Sequence, residues 1–71
     1  MNENDREELF SDGAVTVSDA VKEYGVGRTA LYQMMGRGEL PYSQPHGRRL
    51  IPRRALRQLL AAHLRGTTAQ N

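Results

Sequence analysis

The chain has 71 residues, no cysteine, two histidines, and ten Lys+Arg against eight Asp+Glu, a formal net charge of +2. That length allows one small domain burying only about 60% of its unfolded surface, which argues for a binding module over an enclosed catalytic pocket. The composition excludes disulfides, thiolate catalysis and cysteine-ligated metal; His46 and His63 cannot alone hold a structural zinc, no apolar run is long enough to span a membrane, and the acidic start does not read as a signal peptide.

The modest total hides an asymmetry. Residues 1–12 hold Glu3, Asp5, Glu7, Glu8 and Asp12 against Arg6, a net of −4, while residues 13–71 hold nine bases against three acids, a net of +6. From Gly25 onward every base is arginine and the one acid is Glu39. A planar guanidinium makes paired hydrogen bonds to phosphates and guanine edges. A single-sign field over so short a segment points to a polyanionic partner, in the simplest case nucleic acid. The alternative is a basic surface that keeps the chain soluble and has no partner.

In chain order, residues 1–13 read as an acidic, mostly disordered arm, with Leu9 and Phe10 as the residues able to dock on a core. Thr16 is a helix N-cap, Asp19 takes the capping-box position and Val15 is a staple toward Ala20. Val17, Ala20, Val21 and Tyr24 form one face of a two-turn helix that Gly25 ends. Gly27 is an N-cap for a second helix over 28–35, with Leu31, Met34 and Met35 inward and Arg28, Thr29, Tyr32 and Gln33 on or near the opposite face. Leu40 returns to the core after Gly36 and Gly38. Tyr42–Gln44 and Arg48–Ile51 form two short strands around a Pro45-His46-Gly47 turn. Pro52 opens a third helix in which Leu56, Leu59, Leu60 and Leu64 repeat, helped by Ala55 and Ala62, until Gly66. The fold class is therefore mainly helical with a small β-hairpin, a winged helix-turn-helix: helix-turn-helix, two-stranded wing, C-terminal helix. Residues 14–65 make the domain and residues 66–71 a flexible tail.

From Val15 to Leu60 the order of Thr16-Val17, Ala20, Gly25-Val26, Leu31-Tyr32, Gly38-Glu39-Leu40-Pro41, Gly47-Arg48-Arg49 and Ile51-Pro52 resembles small excisionase-type DNA-binding domains. The resemblance covers about two-thirds of the chain. No single piece is strong, but the ordered set is specific. It implies a winged helix of the kind also seen in MerR-like regulators and some phage terminase small subunits. At Gly27 the sequence departs from the serine common in the family, which puts a side-chain cap or phosphate contact in doubt.

The candidate DNA-binding residues fall in two groups. On the second helix, Arg28 and Thr29 occupy the first turn and Tyr32 and Gln33 the next, within reach of base edges in a major groove. Arginine pairs with guanine, glutamine with adenine, and a threonine methyl meets the thymine methyl. Tyr32 is equally placed to pack under the wing. Arg37, at the helix end, is divided between phosphate contact and a stabilising charge on the helix dipole. At the wing, His46, Gly47, Arg48 and Arg49 sit at or beside the tip, suited to a narrow, electronegative minor groove. Arg53 and Arg54 follow at a helix start, where the dipole disfavours cations; this violation of a local rule reads as phosphate contact or as solvent-screened charge. Arg57 and Arg65 read as a solvated face, and Met34 and Met35 as core filler.

No catalytic constellation, cofactor motif or metal site is present in the sequence, so the chain reads as a non-enzyme without small-molecule substrate or membrane partner. The resemblance implies a cytoplasmic, DNA-associated directionality factor of a bacterial host. Its partners are then double-stranded DNA, an integrase and neighbouring copies of itself, bound cooperatively on repeated sites with bending of the duplex. The alternatives are a small phage or plasmid transcription regulator of the same fold, and an arginine-rich protein-interaction module. RNA binding is a weaker option, because few aromatics are available for base stacking.

Overall fold

The computed structural model describes residues 3–64. Arg65, Gly66 and the expected tail over 66–71 lie outside the described residues. The order is α1 (Glu3–Leu9), β1 (Ala14–Thr16), α2 (Val17–Tyr24), α3 (Arg28–Gly36), β2 (Leu50–Pro52) and α4 (Arg53–Ala62). The fold class is the one expected, a mainly helical winged helix-turn-helix.

Three local expectations are corrected. Residues 3–9, expected without regular structure, are helical. Acidic residues at a helix N-terminus complement its dipole. The helix closes through Phe10 N–H to Glu7 O at 3.2 Å and Ser11 N–H to Glu8 O at 3.1 Å, while Leu9 packs against the core. The second correction is Ala14–Thr16, read as the lead-in to a helix and in fact a strand pairing antiparallel with β2, in the register Ala14↔Pro52, Val15↔Ile51 and Thr16↔Leu50. Arg53 N–H continues that ladder to Gly13 O at 3.0 Å. Pro52 therefore ends a strand and caps α4 instead of occupying its first turn. The third is the expected pair of wing strands: Tyr42–Gln44 contributes a single bridge, Ser43↔Leu50, with N–H···O distances of 2.8 and 2.7 Å, and the strand expected over Arg48–Ile51 lies at Leu50–Pro52, where β1 is there to pair with it. In the same register the hydrogen-bonding positions on either side of Ser43 belong to Pro41 and Pro45, which have no N–H to donate.

The two helices of the motif follow the sequence pattern. Thr16 caps α2, its Oγ1 accepting from Asp19 N–H at 3.1 Å. Gly25 terminates α2 at φ 69°, with its N–H on Val21 O. Helix α3 presents Leu31 and Met35 inward, and its end folds back through Glu39 N–H to Met34 O at 2.9 Å, which drops Leu40 into the core. Val15, Val17, Ala20, Leu31, Met35, Leu40, Ile51, Ala55 and Leu56 form one cluster. Fully burying an aliphatic side chain contributes about 1.5–3 kcal/mol, so Leu31, Leu40, Ile51 and Leu56 carry much of the stability. The expected apolar stripe of α4 is shorter than its spacing implied: the helix stops at Ala62 and Leu64 is 65% exposed.

Candidate nucleic-acid interface

Helix α3 begins without a side-chain cap, since its N-cap is Gly27 at φ −64°, ψ 143°. Its start is instead tied to the start of α2 by Arg28 Nη2 donating to Ser18 Oγ at 3.1 Å. Arg28, Thr29, Tyr32 and Gln33 are all exposed, on the side of α3 away from buried Leu31 and Met35.

The wing tip is a two-residue turn. His46 takes φ 54°, ψ 34° and Gly47 takes φ 80°, while Arg48 N–H donates to Pro45 O at 3.1 Å. Two successive left-handed residues are the signature of the type I′ turn, whose twist suits a hairpin. Gly47 adopts this backbone without strain, whereas His46 carries a side chain in a region that few non-glycine residues occupy. Gln44 Nε2 donates to Gly47 O at 3.3 Å and secures the tip.

Arg48 and Arg49 lie between the tip and β2, on extended backbone at Arg48 (φ −101°, ψ 130°), and they differ in burial. Arg48 is exposed. Arg49 is half-buried, its guanidinium carbon 4.9 Å from the ring centre of Tyr32 and 4.6 Å from that of Tyr42, with Nη1 3.9 Å from Met35 Sδ. Tyr32 is 42% exposed, so it both packs beneath the wing and keeps a free edge.

These elements enclose an open groove of about 590 Å³, lined among others by Thr16 and Ser18 of the α2 start, Arg28 and Tyr32 of α3, and Arg48 and Arg49 of the wing. Three guanidiniums meet one acid there, Asp19. The groove thus gathers both expected groups, the helix and the wing, on one face. Thr29, Gln33 and His46 are exposed but are not part of its lining.

The remaining arginines are held elsewhere. Arg37 is paired with Glu39, Nε to Oε2 at 2.8 Å, and this contact holds the Glu39 carboxyl below its usual value and the Arg37 guanidinium above its own. Arg53 Nη1 donates to Glu23 Oε1 at 2.7 Å and to the Tyr24 hydroxyl at 3.4 Å, which raises the pKa of Arg53. Arg54 and Arg57 share Asp12 Oδ2 at 3.4 and 2.8 Å, and Arg54 also reaches Ser11 Oγ at 3.3 Å. The hydrogen bond from Arg57, assisted by Arg54, pulls the Asp12 carboxyl below its ordinary value. Cations at the start of α4 are therefore balanced by carboxylates from α2 and from the segment after α1, which accounts for a charge placement that the helix dipole alone disfavours.

Sequence reasoning missed Tyr42, Ser18 and Gln44 as participants. The signal for Tyr42 was present: centring the hairpin on His46-Gly47 sets Gln44 opposite Arg49 and makes Tyr42 the diagonal, same-face neighbour of Arg49. Ser18 carried no such signal, because its role depends on how α2 and α3 cross.

Among the described residues no helix is long and apolar enough to cross a membrane. A search of curated proteins and a search of solved structures each returned no match. A scan against family models matched residues 14–64, from the first strand to two residues past the last helix, to the helix-turn-helix domain, a DNA-binding fold. The chain belongs to the helix-turn-helix domain family.

Proposed function

We propose that the chain is a sequence-preferring DNA-binding module that sets the first turns of α3 in a major groove and the His46-Gly47 tip against the adjoining minor groove. The observation that carries this reading is the groove that brings Arg28, Arg48 and Arg49 together between helix and wing. Arg28 and Thr29 lead the base contacts, Tyr32 and Gln33 follow one turn later, and Gly47 and Arg48 meet the backbone and minor groove, where arginine needs no particular base. Arg37, Arg53 and Arg54 contribute less, because each is engaged with a carboxylate.

The finer role we propose is that of an excisionase-type accessory factor, which rests on the resemblance of Val15–Leu60 and on size. A single module of this kind covers only about 600–1,000 Å². Useful occupancy then requires neighbouring copies on repeated sites, whose linkage adds avidity, and such a coated, bent segment helps an integrase bridge its sites.

Duplex binding with Arg28→Ala tests the first statement. The expected result is a loss of about 1–3 kcal/mol on the preferred site with relaxed sequence preference, read by fluorescence anisotropy on a panel of sites. Equal weakening on every sequence removes Arg28 from base reading. A recombination assay with integrase and attachment sites tests the second: unchanged excision yield, with altered transcription from a nearby promoter, replaces the accessory role with that of a regulator.

A further inference from the structure

The wing is weakly secured by its own backbone. Beyond the turn bond from Arg48 N–H to Pro45 O, one hydrogen-bonded pair, Ser43 with Leu50, joins its two sides, and Pro41 and Pro45 have no N–H to donate at the flanking positions. Residues 41–48 are all exposed, so no core side chain anchors that stretch. An isolated two-stranded ribbon is marginal in water, yet Arg48 and Gly47 take part in a groove whose other wall is α3. Something must fix the wing relative to that helix.

Arg49 has the geometry for it. Its guanidinium lies between the rings of Tyr32 on α3 and Tyr42 on the wing, at 4.9 and 4.6 Å, and reaches the sulfur of buried Met35 at 3.9 Å. Two ring faces stabilise the cation, and the plane of the guanidinium lets both stack at once, which a lysine ammonium cannot reproduce. Arg48 adjoins Arg49 on extended backbone (φ −101°, ψ 130°), so anchoring Arg49 also fixes where Arg48 enters the groove.

We propose that Arg49 is a positioning residue: the Tyr32–Arg49–Tyr42 stack sets the wing against α3, and Arg49 acts on DNA through the placement of Arg48 instead of through a phosphate contact of its own. The stack itself is independent of what the groove binds, whereas its consequence for binding rests on the DNA-binding reading.

The test has one arm without DNA and one with it. In the free protein, Arg49→Met accelerates amide exchange at Ser43 and Leu50 by about tenfold or more, while Val15 and Ile51 change little, as expected for local opening of the wing. Tyr42→Leu, a change at an exposed residue, gives the same pattern by a second route. Arg49→Lys keeps the charge and fails to restore protection. Unchanged exchange in both Arg49→Met and Tyr42→Leu, or full protection in Arg49→Lys, overturns the proposal. With duplex DNA, Arg48→Gln alone and Arg48→Gln combined with Arg49→Met each flatten the slope of log K against log salt by about 0.9, one phosphate contact. A double variant that flattens it by about 1.8 makes Arg49 a phosphate contact in its own right and overturns the proposal. Absence of duplex binding by the unaltered protein sinks the DNA-binding reading, and with it the role through Arg48, while the exchange arm still decides the stack.

Discussion

Raising salt from about 50 to about 200 mM during a duplex titration reads out how many arginines are free to meet phosphates, because each phosphate neutralised adds about −0.9 to the slope of log K against log salt. Charge counting along the sequence gives about six contacts and a slope near −5, which over that range is a loss of about 1,000-fold. The structure argues for much less. Arg37, Arg53, Arg54 and Arg57 already sit within 2.7–3.4 Å of Glu39, Glu23 or Asp12. Arg28 is hydrogen-bonded to the neutral Ser18 hydroxyl and Arg49 is stacked on two rings, so within the groove Arg28 and Arg48 are the charges placed for phosphate. Two contacts give a slope of about −1.8 and a loss of about 12-fold over the same range; adding Arg49 brings these to about −2.7 and about 40-fold. Anisotropy on a labelled duplex at four or five salt concentrations separates the cases. A measured slope near −5 refutes the reasoning, because it requires about six phosphate contacts, more than the arginines of the groove supply.

Three further outcomes follow from particular residues. Leu56→Ala removes a fully buried side chain and costs about 2–5 kcal/mol, lowering Tm by more than about 10 °C in a domain of this size, whereas Leu64→Ala, at a residue 65% exposed, stays within about 0.5 kcal/mol; equal losses in calorimetry place Leu64 in the core after all. At the helix ends, Gly25→Ala puts a Cβ on a residue at φ 69° and costs about 1 kcal/mol, while Gly27→Ser supplies α3 with the cap it lacks and gains about 0.3 kcal/mol; a urea midpoint that rises for the first or falls for the second contradicts that expectation. Asp12 titrates lower in the folded chain than in the unfolded one, so its contribution is fully present above the unfolded value and is lost as pH falls through the folded value. Melting temperature therefore drops on acidification below about pH 4, and Asp12→Asn makes that acid limb shallower; an unchanged limb removes Asp12 from the pH dependence.

Local signals were legible in the sequence wherever a residue's role depends on its immediate neighbours. Thr16 as a cap, Gly25 as a helix stop, Gly47 at positive φ, and Leu31, Met35 and Leu40 as core positions all depend on spacing or on backbone freedom. What escaped depends on distant partners. Ala14–Thr16 is too short to show a period of its own and becomes a strand because Leu50–Pro52 is there to pair with it. Arg53 and Arg54 looked misplaced at a helix start because their compensating acids, Glu23 and Asp12, come from other parts of the chain. Two adjacent arginines at a hairpin tip looked equivalent in the sequence, and the stacking of Arg49 on Tyr32 and Tyr42 makes them different. The acidic residues before Gly13 read as an arm by composition, whereas Leu9 against the core and Asp12 on α4 tie that segment to the domain.

The β1–β2 ladder has a consequence for how the domain can be divided. Val15 meets Ile51 across half the length of the chain, and the helix-turn-helix lies wholly between them. A peptide ending at Pro41 carries both helices of the motif but lacks Ile51 and Leu56, two of the fully buried side chains that seal it. Closing so long a loop is entropically expensive before any of its contacts repay it, so the motif cannot nucleate as an autonomous unit. Fragments 1–41 and 42–71 should each remain unstructured alone and regain helicity on mixing, as halves of a complementation pair.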